Sequence, residues 1–316
     1  MKFIDTPLFI RLLEQSPLSR RELAVLIETA PSRYKEHFIE KRNGRGRRLI
    51  SQPTSELKFF QRILVNNELS DLRVHMAAMA YRQGRAIRQH ALPHAKSKYL
   101  LKLDFENFFP SLRGIAVKEM VNRLGRYSED EVELLCRLIC KRSDSGILRL
   151  SIGAPSSPFI SNALMYRFDE DLAQYCLANS VIYTRYADDI ALSTSVPGRL
   201  DEIFDYVLRL INDLEILNLR LNESKTVNVS RKNHRVLTGL TLANNGGVSI
   251  GRRNKRLLRA AMHQLCTQGE SEIPLRTLKG RLSFLYSIDP QWVLNLCRRH
   301  GFSSVNEISA PHLNDS

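Results

Sequence analysis

Two adjacent carboxylates, Asp188 and Asp189, lie between two β-rich runs within residues 181–194. Apolar and aromatic residues crowd both sides of the pair, which predicts two strands joined by a tight turn that carries the acids. An Asp-Asp pair in a turn is commonly just solvated or turn-forming. The apolar flanks favour a different interpretation, in which the two charges are presented at the end of buried strands.

A third acid, Asp104, closes another strand-like run, residues 99–104. If this strand neighbours the 181–194 hairpin in one sheet, a strand spacing of about 4.8 Å brings the three carboxylates together. Carboxylates that close raise one another's pKa, and a divalent cation removes the penalty. Oxygen-only ligands suit Mg²⁺, and two such ions about 3.5–4 Å apart can serve nucleotide addition to a hydroxyl end. Asp104, Asp188 and Asp189 are therefore the predicted catalytic residues and ligands of two Mg²⁺ ions, for which Mn²⁺ is expected to substitute.

The chain carries a large positive excess, 47 Lys and Arg against 33 Asp and Glu, for a net charge of +14. Residues 231–316 hold 13 of the basic and 5 of the acidic residues, so the excess is concentrated toward the C-terminal end. It indicates a polyanionic partner, either nucleic acid or an acidic membrane surface. No run approaches the roughly 20 apolar residues of a membrane span. Five cysteines, an odd number, favour free thiols in a reducing compartment. We expect a cytoplasmic protein with no membrane partner.

Helical and extended patterns alternate irregularly along the chain, which predicts an α+β fold. Residues 1–40 are predicted to be helical, with a capping box formed by Ser19 and Glu22. The basic stretch 41–48 is expected to form a hairpin or loop. The remaining predicted helices span 53–69, 128–141 and a segment through Ile203 and Leu214, and the predicted C-terminal strands span 236–242 and 248–250.

Four motifs, in the order found in reverse transcriptases, resemble the motifs of that family. In chain order they are the first catalytic motif at 103–111, the template-and-nucleotide motif at 153–158 with Ser161-Asn162 after it, the YxDD box at 186–189, and the lysine motif at 221–226. Two further segments resemble retron enzymes in particular. Leu237-Thr238-Gly239 is similar to their VTG motif, with Leu for Val, and residues 90–94 are similar to NAxxH, with His for Asn.

The resemblance covers about residues 40 to 290 and implies a right-hand polymerase with an antiparallel palm sheet flanked by helices. The N-terminal region and fingers are expected within 1–98, the palm within 99–240 with a fingers segment at about 113–150, and a basic thumb within 241–316. It implies RNA-directed DNA synthesis on a structured non-coding RNA that serves as template and primer. A guanosine 2′-hydroxyl would start the DNA, giving RNA-linked multicopy single-stranded DNA in an anti-phage defence system with an effector protein.

The resemblance also assigns roles around the incoming nucleotide. The backbone carbonyl of Phe105 is a candidate metal ligand, and Phe109 is expected to exclude ribonucleotides, its alternative being a core position beside Phe108. Lys225 is expected to protonate or neutralise pyrophosphate, with a plain surface lysine as the alternative. Gly153 and Ala154 lack bulk, which permits close approach of a base pair.

Basic residues supply the expected nucleic-acid contacts. Arg48, with Arg45 and Arg47, is a candidate to clamp triphosphate oxygens, although a charge run is more often a solvated face. His94, Thr238 and Gly239 are expected RNA contacts because of the retron motifs; the alternative for His90 and His94 is a pair of surface or core histidines. The basic thumb residues are expected to bind phosphates, namely Arg252, Arg253, Lys255, Arg256 and Arg259.

Two other interpretations stay open at the level of sequence. One is a group II intron-type reverse transcriptase, against which the short length weighs. The other is a non-catalytic RNA-binding defence scaffold, which the three intact acids oppose. The acids after Gly251 are scattered and do not resemble a ribonuclease H site, so a host ribonuclease H is expected to act on the RNA–DNA hybrid product.

Overall fold

The computed structural model describes residues 2–40 and 46–309, so the predicted contact at Arg45 lies outside the described residues. The described helices are α1 (Pro7–Glu14), α2 (Arg20–Thr29), α3 (Ser55–Ile63), α4 (Ile87–Ala91), α5 (Phe108–Ser111), α6 (Gly114–Asn122), α7 (Glu129–Ile139), α8 (Ser157–Leu164), α9 (Tyr166–Ala178), α10 (Arg199–Asp213), α11 (Arg252–Gln268), α12 (Leu275–Tyr286) and α13 (Pro290–Arg299). The described strands are β1 (Tyr34–Glu40), β2 (Arg47–Pro53), β3 (Tyr99–Asp104), β4 (Lys141–Arg142), β5 (Leu148–Arg149), β6 (Ile182–Tyr186), β7 (Asp189–Thr194), β8 (Val227–Ser230), β9 (Val236–Leu237), β10 (Leu240–Leu242) and β11 (Val248–Ser249). The predicted α+β class is confirmed.

A four-stranded antiparallel sheet in the order β6-β7-β3-β8 forms the centre of the molecule. Successive side chains of a strand point to opposite faces, so alternate residues of β3 and β7 pack in different places. Leu101 and Leu103 join the core against α9 and α10, whereas Leu100 joins a second core on the other face. Helix α10 fits this surface because its buried residues recur at helical spacing, at Leu200, Ile203, Val207 and Leu210.

The prediction that residues 1–40 are helical is wrong at their C-terminal end. The capping box of Ser19 and Glu22 is present and starts α2. Residues 34–40, however, form β1, which pairs along its whole length with β2 from Tyr34↔Pro53 to Glu40↔Arg47. Six of the seven β1 residues are exposed, so no alternation of apolar residues marks the strand. Its conformation depends on a partner strand that follows in the chain.

The other predicted elements agree more closely with the structure. The 53–69 helix is present as α3, continued by a π-helical turn at Leu64–Glu68, and the 128–141 helix is present as α7. The 236–242 run is not one strand, because Thr238 and Gly239 adopt positive φ values of 45° and 83° and turn β9 back onto β10. The sheet β11-β10-β9 therefore crosses the boundary that was expected after residue 240.

Two apolar cores organise the chain. The first draws on residues from Phe3 to Leu219, and the second joins α11, α12 and α13 to β9 and β10. Ala91, Leu100 and Ala191 belong to the second core although they come from earlier elements. The five cysteines are free, as expected. Among the described residues, no helix combines the length and the apolar character needed to traverse a bilayer.

Candidate active site

The structure brings together the three acids that the sequence singled out. Asp104, the last residue of β3, lies directly opposite Asp189, the first residue of β7, and directly opposed residues share one face of a sheet. Asp188 precedes Asp189 in the turn, where its backbone carbonyl accepts a hydrogen bond from the Phe105 amide at 3.1 Å. Asp104 is only 6% exposed. Three carboxylates thus share the end of two buried strands.

The carboxylates destabilise one another's charged forms. Burial, followed by the charges of Asp188 and Asp104, raises the pKa of Asp189 to about 7. Burial and the charge of Asp104 also raise the pKa of Asp188, while Lys225 and Arg48 oppose that rise. Repulsion between carboxylates is relieved by protonation or by a cation. The donor set, oxygen atoms alone, fits a hard divalent ion such as Mg²⁺.

Lys225 contacts this cluster directly. Its Nζ donates a hydrogen bond to Asp104 Oδ1 at 2.6 Å, and its side chain is 49% exposed at the edge of the site. Across residues 2–40 and 46–309, no three His, Cys, Asp or Glu side chains are arranged as a metal-holding group as they stand. In this structure the Lys225 ammonium is the cation that pairs with Asp104.

Two aromatic side chains, Phe109 and Tyr81, lie near each other close to the acids. Phe108 is a core residue at 4% exposure, whereas Phe109 is half-buried and its ring centroid lies 6.2 Å from that of Tyr81. Tyr81 is 51% exposed, and burial and the nearby charge of Asp188 raise its pKa. The charge of Arg48 lowers the pKa of both Tyr81 and Asp188, so this arginine lies near both residues. Tyr81 was missed by sequence reasoning, because no local pattern marks an exposed tyrosine as part of a site.

Glycine is required at position 153 for a structural reason that the sequence did not reveal. Its φ is +117°, and a Cβ there would lie 3.0 Å from the Ser51 carbonyl oxygen and 3.1 Å from the Ile50 side chain. The Ser51 amide donates to the Ile152 carbonyl at 2.8 Å, which draws β2 against this loop. Ala154 is buried beside it. The missing side chain at position 153 is therefore required by the approach of β2, whatever else binds there.

Comparison with known proteins identifies the family. The family model described as "Reverse transcriptase (RNA-dependent DNA polymerase)" matches residues 39–242. The Retron Ec83 reverse transcriptase of Escherichia coli is 34% identical, over 90% of this chain and 92% of the relative. The Retron Ec86 reverse transcriptase of the same organism is 30% identical, over 92% and 89% of the two chains.

The chain belongs to the bacterial retron-type reverse transcriptases. It is accordingly an RNA-directed DNA polymerase, and its family depends in general on a divalent metal ion. The fold agrees: apo telomerase from Candida tropicalis aligns with a TM-score of 0.53 over 90% of this chain and 58% of that chain, at 12% identity. The expected right-hand polymerase architecture is confirmed.

His94, expected to contact RNA in this reverse transcriptase, lies inside the protein. His94 is fully buried, and its two ring nitrogens are hydrogen-bonded to Ser193 Oγ at 2.7 Å and Thr184 Oγ1 at 2.8 Å. His90 Nδ1 bonds the same threonine hydroxyl at 2.7 Å. Burial lowers the pKa of both imidazoles to about 3, so they are neutral. The histidines tie α4 and the turn after it to the central sheet.

A cavity of about 220 Å³ lies beside Asp104 and Asp189, between the central sheet and the Thr238-Gly239 turn. Thr238 lines it, and its Oγ1 is buried without a hydrogen-bond partner among the described residues. Lys102 lines it too, and sequence reasoning missed this residue. The signal was present: Lys102 is two positions before Asp104 in a strand, which places both side chains on one face.

The predicted basic contacts divide into free and engaged side chains. Arg47 and Arg48 are exposed on β2. On α11, Lys255 is half-buried, bonds Asp289 Oδ2 at 2.6 Å and lies 5.1 Å from the centroid of the Trp292 ring. Arg252, Arg253, Arg256 and Arg259 are exposed on α11, and the Arg259 guanidinium lies 5.4 Å from the centroid of the same Trp292 ring.

Proposed function

We propose that this reverse transcriptase adds deoxynucleotides by a two-metal mechanism at Asp104, Asp188 and Asp189. The observation that supports this most is the register that sets Asp104 opposite Asp189, with Asp188 adjacent and both turn acids raised in pKa. Asp104 and Asp188 are the principal proposed ligands, Asp189 is a looser one, and the Phe105 carbonyl adds an oxygen. Two Mg²⁺ ions, or Mn²⁺ in their place, would activate the attacking hydroxyl and neutralise the leaving pyrophosphate.

The surrounding side chains would bind and select the nucleotide. Arg48, assisted by Arg47, binds triphosphate oxygens with its guanidinium fork. Lys225, which bonds Asp104 here, would protonate the leaving pyrophosphate or neutralise its negative charge. Phe109 blocks the space of a ribose 2′-hydroxyl. Gly153 and Ala154 let the nascent base pair approach the backbone.

The nucleic acid would lie along the surface formed by the C-terminal helices and by the end of the central sheet that carries the acids. We assign the fingers to residues 1–98 together with about 113–150. The rest of 99–240 forms the palm, and 241–316 forms the thumb. Thr238 and Lys102 line the cavity beside the acids. Together with Gly239, which follows Thr238, they would bind a backbone phosphate of the strand being extended. The exposed arginines of α11 bind phosphates farther along the duplex, and Lys255 takes part less because Asp289 holds it.

The retron relatives support a particular substrate and product. We propose that the enzyme copies a structured non-coding RNA that is both template and primer, and makes RNA-linked multicopy single-stranded DNA from a guanosine 2′-hydroxyl. A host ribonuclease H would act on the hybrid, in the cytoplasm, and the DNA–RNA–protein complex would serve anti-phage defence with an effector protein. The supporting observation is identity of 30% or more to two retron enzymes over most of both chains.

Primer extension with Mg²⁺ and deoxynucleotides tests the mechanism. Asp188→Asn is expected to abolish synthesis while primer–template affinity stays at the wild-type value, because the amide keeps the shape but loses the charge. Asp205→Asn is the matched control, since Asp205 is exposed on α10. Full activity of the Asp188→Asn enzyme refutes the metal role.

Sequencing of the nucleic acid that copurifies with the protein tests the proposed product. The expected result is a single RNA species joined through a 2′ linkage to DNA, encoded just upstream of the protein. An intron-derived RNA would favour the group II intron-type alternative, and unlinked DNA would contradict priming from an internal 2′-hydroxyl.

A further inference from the structure

One ion pair is completely buried behind the carboxylate turn. Arg185, on β6, and Asp169, on α9, are both 0% exposed. The guanidinium fork binds the carboxylate through Nε–Oδ1 at 2.8 Å and Nη2–Oδ2 at 2.6 Å, and the Tyr183 hydroxyl donates to the same Oδ1 at 2.5 Å. A buried ion pair is weak as a source of stability because desolvation opposes its attraction. Its geometry suggests another use.

The remaining guanidinium nitrogen reaches the turn that carries the acids. Arg185 Nη1 donates to the Ala187 carbonyl at 3.0 Å, and Ala187 directly precedes Asp188. The same nitrogen donates to Asn162 Oδ1 at 3.2 Å. Asn162 Nδ2 in turn donates to the Ala80 carbonyl at 2.9 Å. One polar network therefore binds two carbonyls, one beside the acids and one on a separate segment of the chain.

Each of these carbonyls adjoins or belongs to a residue in the left-handed region. Ala187 has φ +58°, and Tyr81, which follows Ala80, has φ +60°. Residues with a side chain adopt this conformation rarely, and it persists where the surroundings impose it. The backbone of Arg185 adds two bonds to the second segment, from its amide to the Ala77 carbonyl at 2.8 Å and from the Met79 amide to its carbonyl at 2.7 Å.

We propose that Asp169, Arg185 and Asn162 form a positioning network that fixes Asp188 and Tyr81 relative to each other, on two sides of the incoming nucleotide. Asp169 sets the orientation of the guanidinium, Arg185 holds the turn, and Asn162 holds the segment that presents Tyr81. Tyr81 and Phe109 then form one aromatic wall of the nucleotide site. The inference rests on the proposed function, in which Asp188 binds metal.

The double variant Arg185→Met with Asp169→Leu tests the hold on the turn. Apolar replacements of a buried ion pair commonly keep a protein folded. The single-turnover rate at saturating deoxynucleotide is expected to fall about 100-fold, because small misplacement of reacting groups has that effect. The Mg²⁺ concentration for half-maximal rate is expected to rise, and primer–template affinity to stay unchanged. A folded double variant with the wild-type rate and Mg²⁺ requirement overturns the proposal.

Arg185→Lys decides the matter if the double variant does not fold. The lysine keeps the charge that Asp169 needs, but one ammonium lacks the fork that reaches the carboxylate and the Ala187 carbonyl together. Loss of rate with a higher Mg²⁺ requirement supports the network, whereas wild-type values of both contradict it. The matched control is Arg167→Met with Asp171→Leu, an exposed ion pair on the same helix, which is expected to leave both values unchanged.

Asn162→Ala and Tyr81→Ala test the second arm. Each is expected to raise the KM for deoxynucleotide several-fold with a smaller change in kcat, and Tyr81→Phe should retain the wild-type KM. If Asn162 acts through Tyr81, the two alanine substitutions are not additive in the double variant. Additive effects would contradict the claim that Asn162 acts through Tyr81. If Asp188→Asn is inactive while all network variants behave as wild type, only this inference fails; an active Asp188→Asn enzyme ends the proposed function itself.

Discussion

The two ends of one sheet face treat polar groups in opposite ways. At the open end, Asp104 and Asp189 face each other across β3 and β7 with raised pKa for Asp189. At the covered end, Ser193 and Thr184 bind both ring nitrogens of His94. The ends are separated by only a few residues of the same strands. One accumulates like charges, and the other pairs a neutral donor with each acceptor.

The difference shows how buried polar residues of a functional site can be distinguished from buried polar residues of the core in this sheet. Buried polar groups that are mutually hydrogen-bonded stabilise a fold and need no ligand. Buried groups that repel one another lower stability and are retained where chemistry uses them. Substitutions at the open end should therefore alter catalysis more than stability, and substitutions at the covered end should do the reverse.

The largest effect in this comparison is expected from Lys225→Ala at the open end. Loss of the ammonium should slow single-turnover synthesis about 100-fold, the ordinary range of a general acid, with little change in primer–template affinity. Lys232→Ala, at an exposed position after β8, is the control. Rapid-quench kinetics provide the measurement. An unaltered single-turnover rate would remove Lys225 from the chemistry.

His94→Ala should affect the covered end through stability. Truncation removes the two buried hydrogen bonds that the His94 ring makes with Ser193 Oγ and Thr184 Oγ1, which costs about 2 kcal/mol, or roughly 30-fold in the folding equilibrium. RNA affinity and the rate per folded molecule should stay unchanged. Urea unfolding with the exposed His263→Ala as control measures the difference. Weaker RNA binding without lower stability would reinstate the direct contact that burial argues against.

Phe109→Ala tests whether the open end reads the sugar. Removal of the ring should raise ribonucleotide incorporation relative to deoxynucleotide by about tenfold, the low end of what one pocket contact contributes. Phe108→Ala instead removes a buried core side chain and should lower stability. Competition between the two nucleotide types gives the ratio directly. Unchanged sugar selectivity would return Phe109 to a packing role.

The last prediction concerns pH. Because the folded pKa of Asp189 is about 7, above the ordinary value near 4, the folded protein holds this proton more tightly than the unfolded chain. Metal-free protein should therefore lose stability as pH rises from about 4 to about 7. Asp189→Asn removes this contribution, so its melting temperature in EDTA should gain on the wild type over that interval, and Mg²⁺ should close the gap. A difference that does not vary with pH would contradict the coupling.

Much of the site was readable from the sequence because its signals are local. The strand ending at Asp104, the hairpin that carries Asp188 and Asp189, and the capping box at Ser19 each depend on neighbouring residues. The meeting of the acids followed from one further assumption, that the two strands are neighbours. The family assignment followed from four motifs in order.

The features that escaped depend on contacts between different elements of the chain. Strand β1 is exposed and becomes a strand only through β2. The burial of His94 depends on Thr184 and Ser193, about 90 to 100 positions later. Arg185 directly precedes the YxDD box, yet its partner Asp169 lies on the preceding helix, and nothing in the sequence around Asp169 indicates an ion pair. Contacts of this kind leave no periodicity to detect.

The second core has a consequence for exchanging parts between related polymerases. Ala91, Leu100 and Ala191 pack with the apolar side chains of β10, α11, α12 and α13, although the chain reaches those helices only after residue 250. A chimera that imports a foreign C-terminal segment would seat it on a surface shaped for the native one. A compatible chimera would have to carry matching residues at positions 91, 100 and 191 as well. The part that must be exchanged together is therefore larger than the segment that contains the helices.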